Sequence, residues 1–248
     1  MFVQRASDLM ISHLQLSALA LGLMLIICPP GQAETIELGI TGALIPTACT
    51  PTLGGGGVID YGLIAAEMLS TTAFTALSVK QISFSITCNA PARIAIKAFN
   101  GRVGSLAGPT ETGWNGVALN PVPLFGATGV PVVGLGLDGA RKIGGYALRS
   151  VKGTYTADGV AVDDLIQRTS GAVPTNWAKE IINGSLYTSF GTDTIFKTWA
   201  SIGSLTPLAF EVLSGTLELQ AYINRGSALD FSHPIILDGL TTIEIVYL

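Results

Sequence analysis

From residue 34 onward the chain reads as short bursts in which apolar and polar positions alternate. In Thr35–Ile45, Ile36, Leu38, Ile40 and Leu44 fall on one face, with Glu37 and Thr41 opposite. Ile82, Phe84, Ile86 and Cys88 alternate with Ser83, Ser85 and Thr87, and Ala92, Ile94, Ile96 and Ala98 follow after Asn89-Ala90-Pro91. A period of two predicts strands, and the intervening turn residues predict a β-hairpin. Leu217, Leu219, Ala221 and Ile223 predict another strand, and Thr241, Ile243, Ile245 and Tyr247 a C-terminal one. Short strands are expected at Pro131–Val133 and Ile143–Leu148. The single stretch that suits a helix is Asn176–Ile182. Glycine and proline crowd the interval from Gly101 to Gly145, which argues against long helices there. Many short strands separated by turn residues predict an all-β sandwich, with an irregular insert at about residues 100–200.

The N-terminus reads differently. Residues 14–27 are almost wholly apolar, preceded by Arg5 and followed by Gly31 and Ala33. A run this short falls below the roughly 20 residues of a membrane span and suits the core of a secretory signal peptide. Residues 1–33 are therefore expected to be a signal peptide cut after Ala33, leaving one domain, residues 34–248, with no stable membrane span. Removal of Cys28 would leave Cys49 and Cys88. In an oxidising compartment two such cysteines are expected to form a disulfide.

Charge narrows the function classes. The chain carries a net charge of −4, and only 12% of its residues are charged. Nucleic acid requires clustered lysine and arginine, so no nucleic-acid partner is expected. An ordinary soluble domain is about one-quarter charged. A chain this apolar, if exported, is expected to bury surface against partners.

Candidate chemistry is sparse. Gly134-Leu-Gly136-Leu-Asp-Gly139 fits a dinucleotide fingerprint, but Gly144-Gly145 follow and no helical face begins there. The glycines at 54–57 lack the Lys-Ser/Thr of a phosphate loop and read as a flexible loop. His233 is the only histidine after the signal and sits beside Pro234. Asp163-Asp164 read as solvated carboxylates at a strand end, and Trp114, Trp177 and Trp199 as packing residues of the insert. With no G-x-S-x-G elbow and no ligand cluster, neither catalytic residues, a cofactor nor a metal is expected.

Residues 34–62 join an alternating strand to Pro46 and Cys49, then a glycine-rich loop, then the turn Ile59-Asp60-Tyr61-Gly62. Cys88 closes a later strand, and Tyr247 is penultimate. In these features the chain resembles subunits of chaperone–usher pili, in particular an exported pilin-like family of unknown function. The likeness covers about residues 34–99 and 215–248. It implies an incomplete immunoglobulin-like sandwich, whose groove is filled by strand addition. It implies a donor strand at about residues 34–46, with Ile36, Leu38, Ile40 and Leu44 inserting into a neighbour. It assigns Ile243, Ile245, Tyr247 and Leu248 to the acceptor groove and chaperone contact. The implied partners are a periplasmic pilus chaperone, an outer-membrane usher and other pilin subunits, on a route from periplasm to surface fimbria. Gly239 lies closer to the terminal tyrosine than the usual family glycine, which leaves the groove register open. Two other arrangements stay open: an adhesin-like protein binding a surface ligand through its middle loops, and a self-complete exported β-domain.

Overall fold

Most of the alternating segments form strands. The computed structural model describes residues 37–43, 47–181 and 183–248. Its strands are β1 (Cys49–Leu53), β2 (Thr75–Ala76), β3 (Lys80–Ala92), β4 (Ile94–Asn100), β5 (Ala118–Leu119), β6 (Pro131–Gly134), β7 (Leu137–Asp138) and β8 (Arg141–Lys142). They continue with β9 (Gly144–Ser150), β10 (Thr156–Ala157), β11 (Val160–Thr169), β12 (Ala178–Lys179), β13 (Thr194–Ser201), β14 (Phe210–Ile223) and β15 (Thr241–Tyr247). Helical structure among the described residues is limited to 3-10 turns of three or four residues. The turn at Gly54–Gly57 uses positive φ at Gly55, Gly56 and Gly57, a conformation glycine adopts without steric cost.

Pairing follows one antiparallel path, β15-β4-β13-β11-β10-β14-β9-β6-β5. Two-residue β10 pairs with β11 on one side and β14 on the other. The path turns there, giving two layers of a β-sandwich. The first layer holds β1, β3, β14 and β9, and the second holds β15, β4, β13 and β11. The layers meet in one core: Phe84 and Ile86 of β3, Tyr146 of β9 and Leu217 of β14 face Ile94 and Ile96 of β4 and Trp199 of β13.

A second apolar cluster lies behind the first layer. Ala147 and Tyr222 point away from the main core, in the opposite sense to Tyr146 and Ala221, and pack with Leu106, Leu124, Val130 and Val132. The chain between β4 and β9 thus covers the outer face of β9 and β14. At this seam the strands run close. A Cβ on Gly144 would lie 2.0 Å from the Tyr222 carbonyl oxygen. Tyr222 donates its hydroxyl to the Ala107 carbonyl at 2.6 Å, which satisfies the polar end of a buried ring.

Several expectations need correction. Strands β3 and β4 are not a hairpin. β3 runs through Asn89-Ala90-Pro91 and pairs with β1 and β14, while β4 pairs with β13 and β15 in the other layer. The break at Arg93 is a crossing between layers, and periodicity on either side is the same for both geometries. Residues 176–181 of the expected helix Asn176–Ile182 are not helical, because Ala178–Lys179 pair with β11 as β12, and Ile182 lies outside the described residues. The insert is not irregular throughout: β9, β11 and β13 lie within it and carry the centres of both layers. Asp163 and Asp164 do not end a strand. They sit inside β11, and Asp164 is buried. Trp199 is a core residue, whereas Trp114 is exposed.

Residues 37–43 form no regular secondary structure, so the strand expected there is absent over these positions. Leu38 and Ile40 are exposed, at 89% and 93%. The expected signal peptide, Ile36 and Leu44 lie outside the described residues.

Candidate functional site

The C-terminal strand β15 ends the pairing path. It is joined to β4 from Thr241↔Asn100 to Tyr247↔Ile94, and among the described residues nothing pairs with its outer edge. Such an edge presents a row of backbone donors and acceptors to any added strand.

Beside this edge lies an apolar groove with a volume of about 1030 Å³. Its floor is the inner face of the first layer: Ile82 of β3, Leu217 and Leu219 of β14, and Tyr146 and Leu148 of β9. One wall is formed by Val58–Ile64, Ala66 and Leu69. The other is the strap Leu229–Leu240 (without Asp230 and Asp238) and the first residues of β15, Thr241 and Ile243. Of the second layer only these first residues of β15 reach the groove, so loop segments supply most of its walls.

Local chemistry fixes both walls. Gly62 N–H donates to Asp60 Oδ1 at 2.7 Å, closing an Asx turn with Gly62 at φ +66°. Tyr61 Oη accepts from Ala221 N–H and donates to the Ser78 carbonyl, both at 3.1 Å, which anchors the turn to β14. Burial raises the pKa of this hydroxyl, so it stays a neutral donor.

On the opposite wall three polar pairs hold the strap. Arg102 reaches Asp238 at 2.6 Å, Arg141 reaches Asp230 at 3.1 Å, and His233 Nε2 lies 2.9 Å from Asp138. The hydrogen bond from Arg102 lowers the Asp238 pKa, and the hydrogen bond to Asp138 raises that of His233. His233 is thus a tether of the strap. Thr241 Oγ1 lies 2.7 Å from the hydroxyls of both Tyr146 and Tyr187, which joins the start of β15 to the core.

The lower end of β15 is pinned to the disulfide. Cys49 and Cys88 stand opposite each other in β1 and β3 and are bonded, as the sequence predicts. Tyr247 Oη accepts the Cys49 N–H at 2.8 Å, and Leu248 N–H donates to the Arg93 carbonyl at 3.0 Å.

The sequence-assigned acceptor residues therefore divide. Ile243 lines the groove. Ile245 is half-buried against the main core, Tyr247 reaches the disulfide strand, and Leu248 ends the chain exposed. Ile82, Leu217, Leu219, Tyr146 and Leu148, which form the floor, were legible only as inward positions of strands. The strap has no strand periodicity, and its apolar residues Phe231, Ile235 and Ile236 were the available signal. The glycine pattern at 134–139 spans the end of β6 and the β7–β8 hairpin, without a following helix. Among the described residues no group of three or more His, Cys, Asp or Glu converges as a metal site, and no helix is long and apolar enough to cross a membrane.

Two known proteins align along most of this chain, and their names assign no role. Protein GltF of Escherichia coli (strain K12) is 31% identical over 224 residues, covering 86% of this chain and 88% of the relative. Uncharacterized protein YhcF of the same organism is 28% identical over 221 residues, covering 87% and 92%. No solved structure matches. The family model described as "Protein of unknown function (DUF1120)" matches residues 38–128. With that match and a 31%-identical relative aligned along most of both chains, the protein belongs to the DUF1120 family.

Proposed function

We propose that the chain is a non-enzymatic structural subunit or minor component of a surface fimbria, assembled by donor-strand complementation. The observation that carries this reading is the edge of β15, unpaired among the described residues, beside an open apolar groove. Strand addition at such a place supplies backbone hydrogen bonds along the edge and apolar side chains to the groove. The occupant is the N-terminal segment of a second subunit. Within this chain Leu38 and Ile40 are exposed and alternate with Glu37, Gly39 and Thr41, the pattern an added strand needs. Before assembly a periplasmic chaperone fills the groove, since an apolar cleft beside a bare edge invites aggregation. An outer-membrane usher then catalyses the exchange.

The test is periplasmic expression of Glu34–Leu248 with and without a pilus chaperone, followed by size exclusion. Recovery only as a 1:1 complex with the chaperone is the expected result. A stable, cooperatively unfolding monomer that ignores the chaperone would sink the proposal.

A further inference from the structure

Between the two layers, away from the groove, lies a buried polar cluster. Lys197 of β13 and Glu180, just after β12, form an ion pair at 2.9 Å, with both side chains only 2% exposed. Lys197 Nζ also lies 3.1 Å from Ser150 Oγ of β9. That hydroxyl lies 3.3 Å from Asp164 Oδ2 and 3.2 Å from the Gly184 carbonyl. Among the described residues Asp164 Oδ1 is buried without a hydrogen-bond partner. Asp164 pairs with Trp199 and Ile166 with Lys197, so the amine and the aspartate share the inward face of adjacent strands. Trp199 and Tyr155, with ring centroids 5.3 Å apart, pack beside them in the core.

This arrangement is costly as an ion pair. Two carboxyl groups and one ammonium have left water, and the attraction of a buried pair often fails to offset desolvation. It also has the parts for a covalent alternative: an amine in contact with a carboxyl group, a second carboxyl within relay distance, and a dry setting. We propose that Lys197 Nζ and Glu180 Cδ condense into an amide bond, an intramolecular cross-link inside the sandwich.

The chemistry balances without an oxidant or cofactor. A proton passes from the Lys197 ammonium to the Glu180 carboxylate, giving a neutral amine and a neutral acid. The nitrogen lone pair attacks Cδ, an Nζ–Cδ bond forms, and a Cδ–O bond breaks. Asp164, through Ser150, accepts a proton from nitrogen and returns it to the departing oxygen, which leaves as water. Burial lowers the pKa of Lys197 and raises that of Asp164 to about 6, which favours the neutral amine and suits a carboxyl that exchanges protons. The product is a neutral amide, so the two charges of the ion pair are removed, and Asp164, left without the ammonium beside it, is favoured in its protonated form.

The bond would tie β13 to the segment beyond β12. β12 itself meets β11 at only two registered positions, Leu165↔Lys179 and Ile166↔Ala178. A cross-link spanning β11 would secure a segment that strand pairing holds weakly. It does not depend on whether the chain enters a fibre.

The test is the intact mass of the mature chain purified from the periplasm, measured under denaturing conditions after disulfide reduction. A mass short by one water, together with a branched proteolytic peptide joining the Glu180 and Lys197 segments, is expected. Lys197→Arg should restore the full mass, and Asp164→Asn should leave a large uncondensed fraction. A full linear mass for the wild-type chain, with cleavage after Lys197 by a lysine-specific protease, overturns the proposal. So does a water loss that persists in Lys197→Arg.

Discussion

Replacing Ile40 with aspartate separates the donor role from a role in the subunit's own fold. The Ile40 side chain is 93% exposed, so it contributes almost nothing to the free subunit's core. A surface substitution of this kind changes folding stability by about 0.5 kcal/mol or less. Inserted into a neighbour's groove, the same isoleucine would bury nearly its whole side chain and contribute about 1.5–3 kcal/mol. Aspartate loses that contribution and adds the cost of moving a carboxylate into an apolar cleft, at least about 2 kcal/mol even when it is met by protonation. The combined loss is about 4 kcal/mol or more, which is roughly a thousand-fold in subunit–subunit affinity. Chaperone-bound wild-type and Ile40→Asp subunits should melt at the same temperature, while only the wild type should yield multimers when co-expressed with chaperone and usher. Leu38→Asp should behave alike. Multimers at wild-type yield from Ile40→Asp would refute the reasoning. A large drop in the stability of the chaperone-bound variant would refute it differently, by showing that the side chain serves its own domain.

Three further outcomes follow from the fold. Cys49→Ser with Cys88→Ser opens a closure of 39 residues and should cost about 4 kcal/mol in the loop-entropy account, read as a lower denaturant midpoint in the chaperone-bound subunit. Gly144→Ala places a Cβ 2.0 Å from the Tyr222 carbonyl and should force β9 from β14, costing about 3 kcal/mol or more and lowering soluble yield. For Glu218, burial opposes ionisation, but hydrogen bonds from Gln81 and Arg149 outweigh it and lower the pKa. A lowered carboxylate pKa gives stability that is present above the unfolded value near 4.5 and is lost as pH falls through the folded value. Urea midpoints between pH 6 and pH 3 should therefore fall less steeply in Glu218→Gln than in the wild type.

Arg149 shows why a local change at this site reaches both apolar clusters. It pairs with Glu218 at 2.6 Å, and its guanidinium lies 4.0 Å from the Phe125 ring centroid. Phe125 in turn packs against the second cluster behind β9 and β14. The strands that floor the groove are thus held from behind by the inserted chain, which gives that part of the insert a structural purpose.

Periodicity alone determined four of the strands, β3, β4, β14 and β15. Alternation at Ile82–Cys88, Leu217–Ile223 and Thr241–Tyr247 specifies strands because side chains two apart share a face, whatever the partner. Two cysteines in a chain with a signal-like N-terminus similarly specified their bond. What alternation does not contain is the partner. Ala92–Ala98 reads identically as a hairpin arm or as a strand in another layer, and only pairing to β13 and β15 decided that β3 and β4 separate. Asn176–Ile182 has the composition of a short helix, yet pairing with β11 made part of it a strand, since two ladder positions outweigh a weak propensity over so few residues. Asp164 and Lys197 carry no sign of burial in their neighbours, and their contact arises because β11, β13 and β9 converge from distant parts of the chain. The groove is decided in the same way. Each apolar residue on its floor is visible in the sequence as an inward position, but the cleft exists because the second layer stops short of the first. That depends on which strands pair, a property of long-range hydrogen bonding rather than of any local segment.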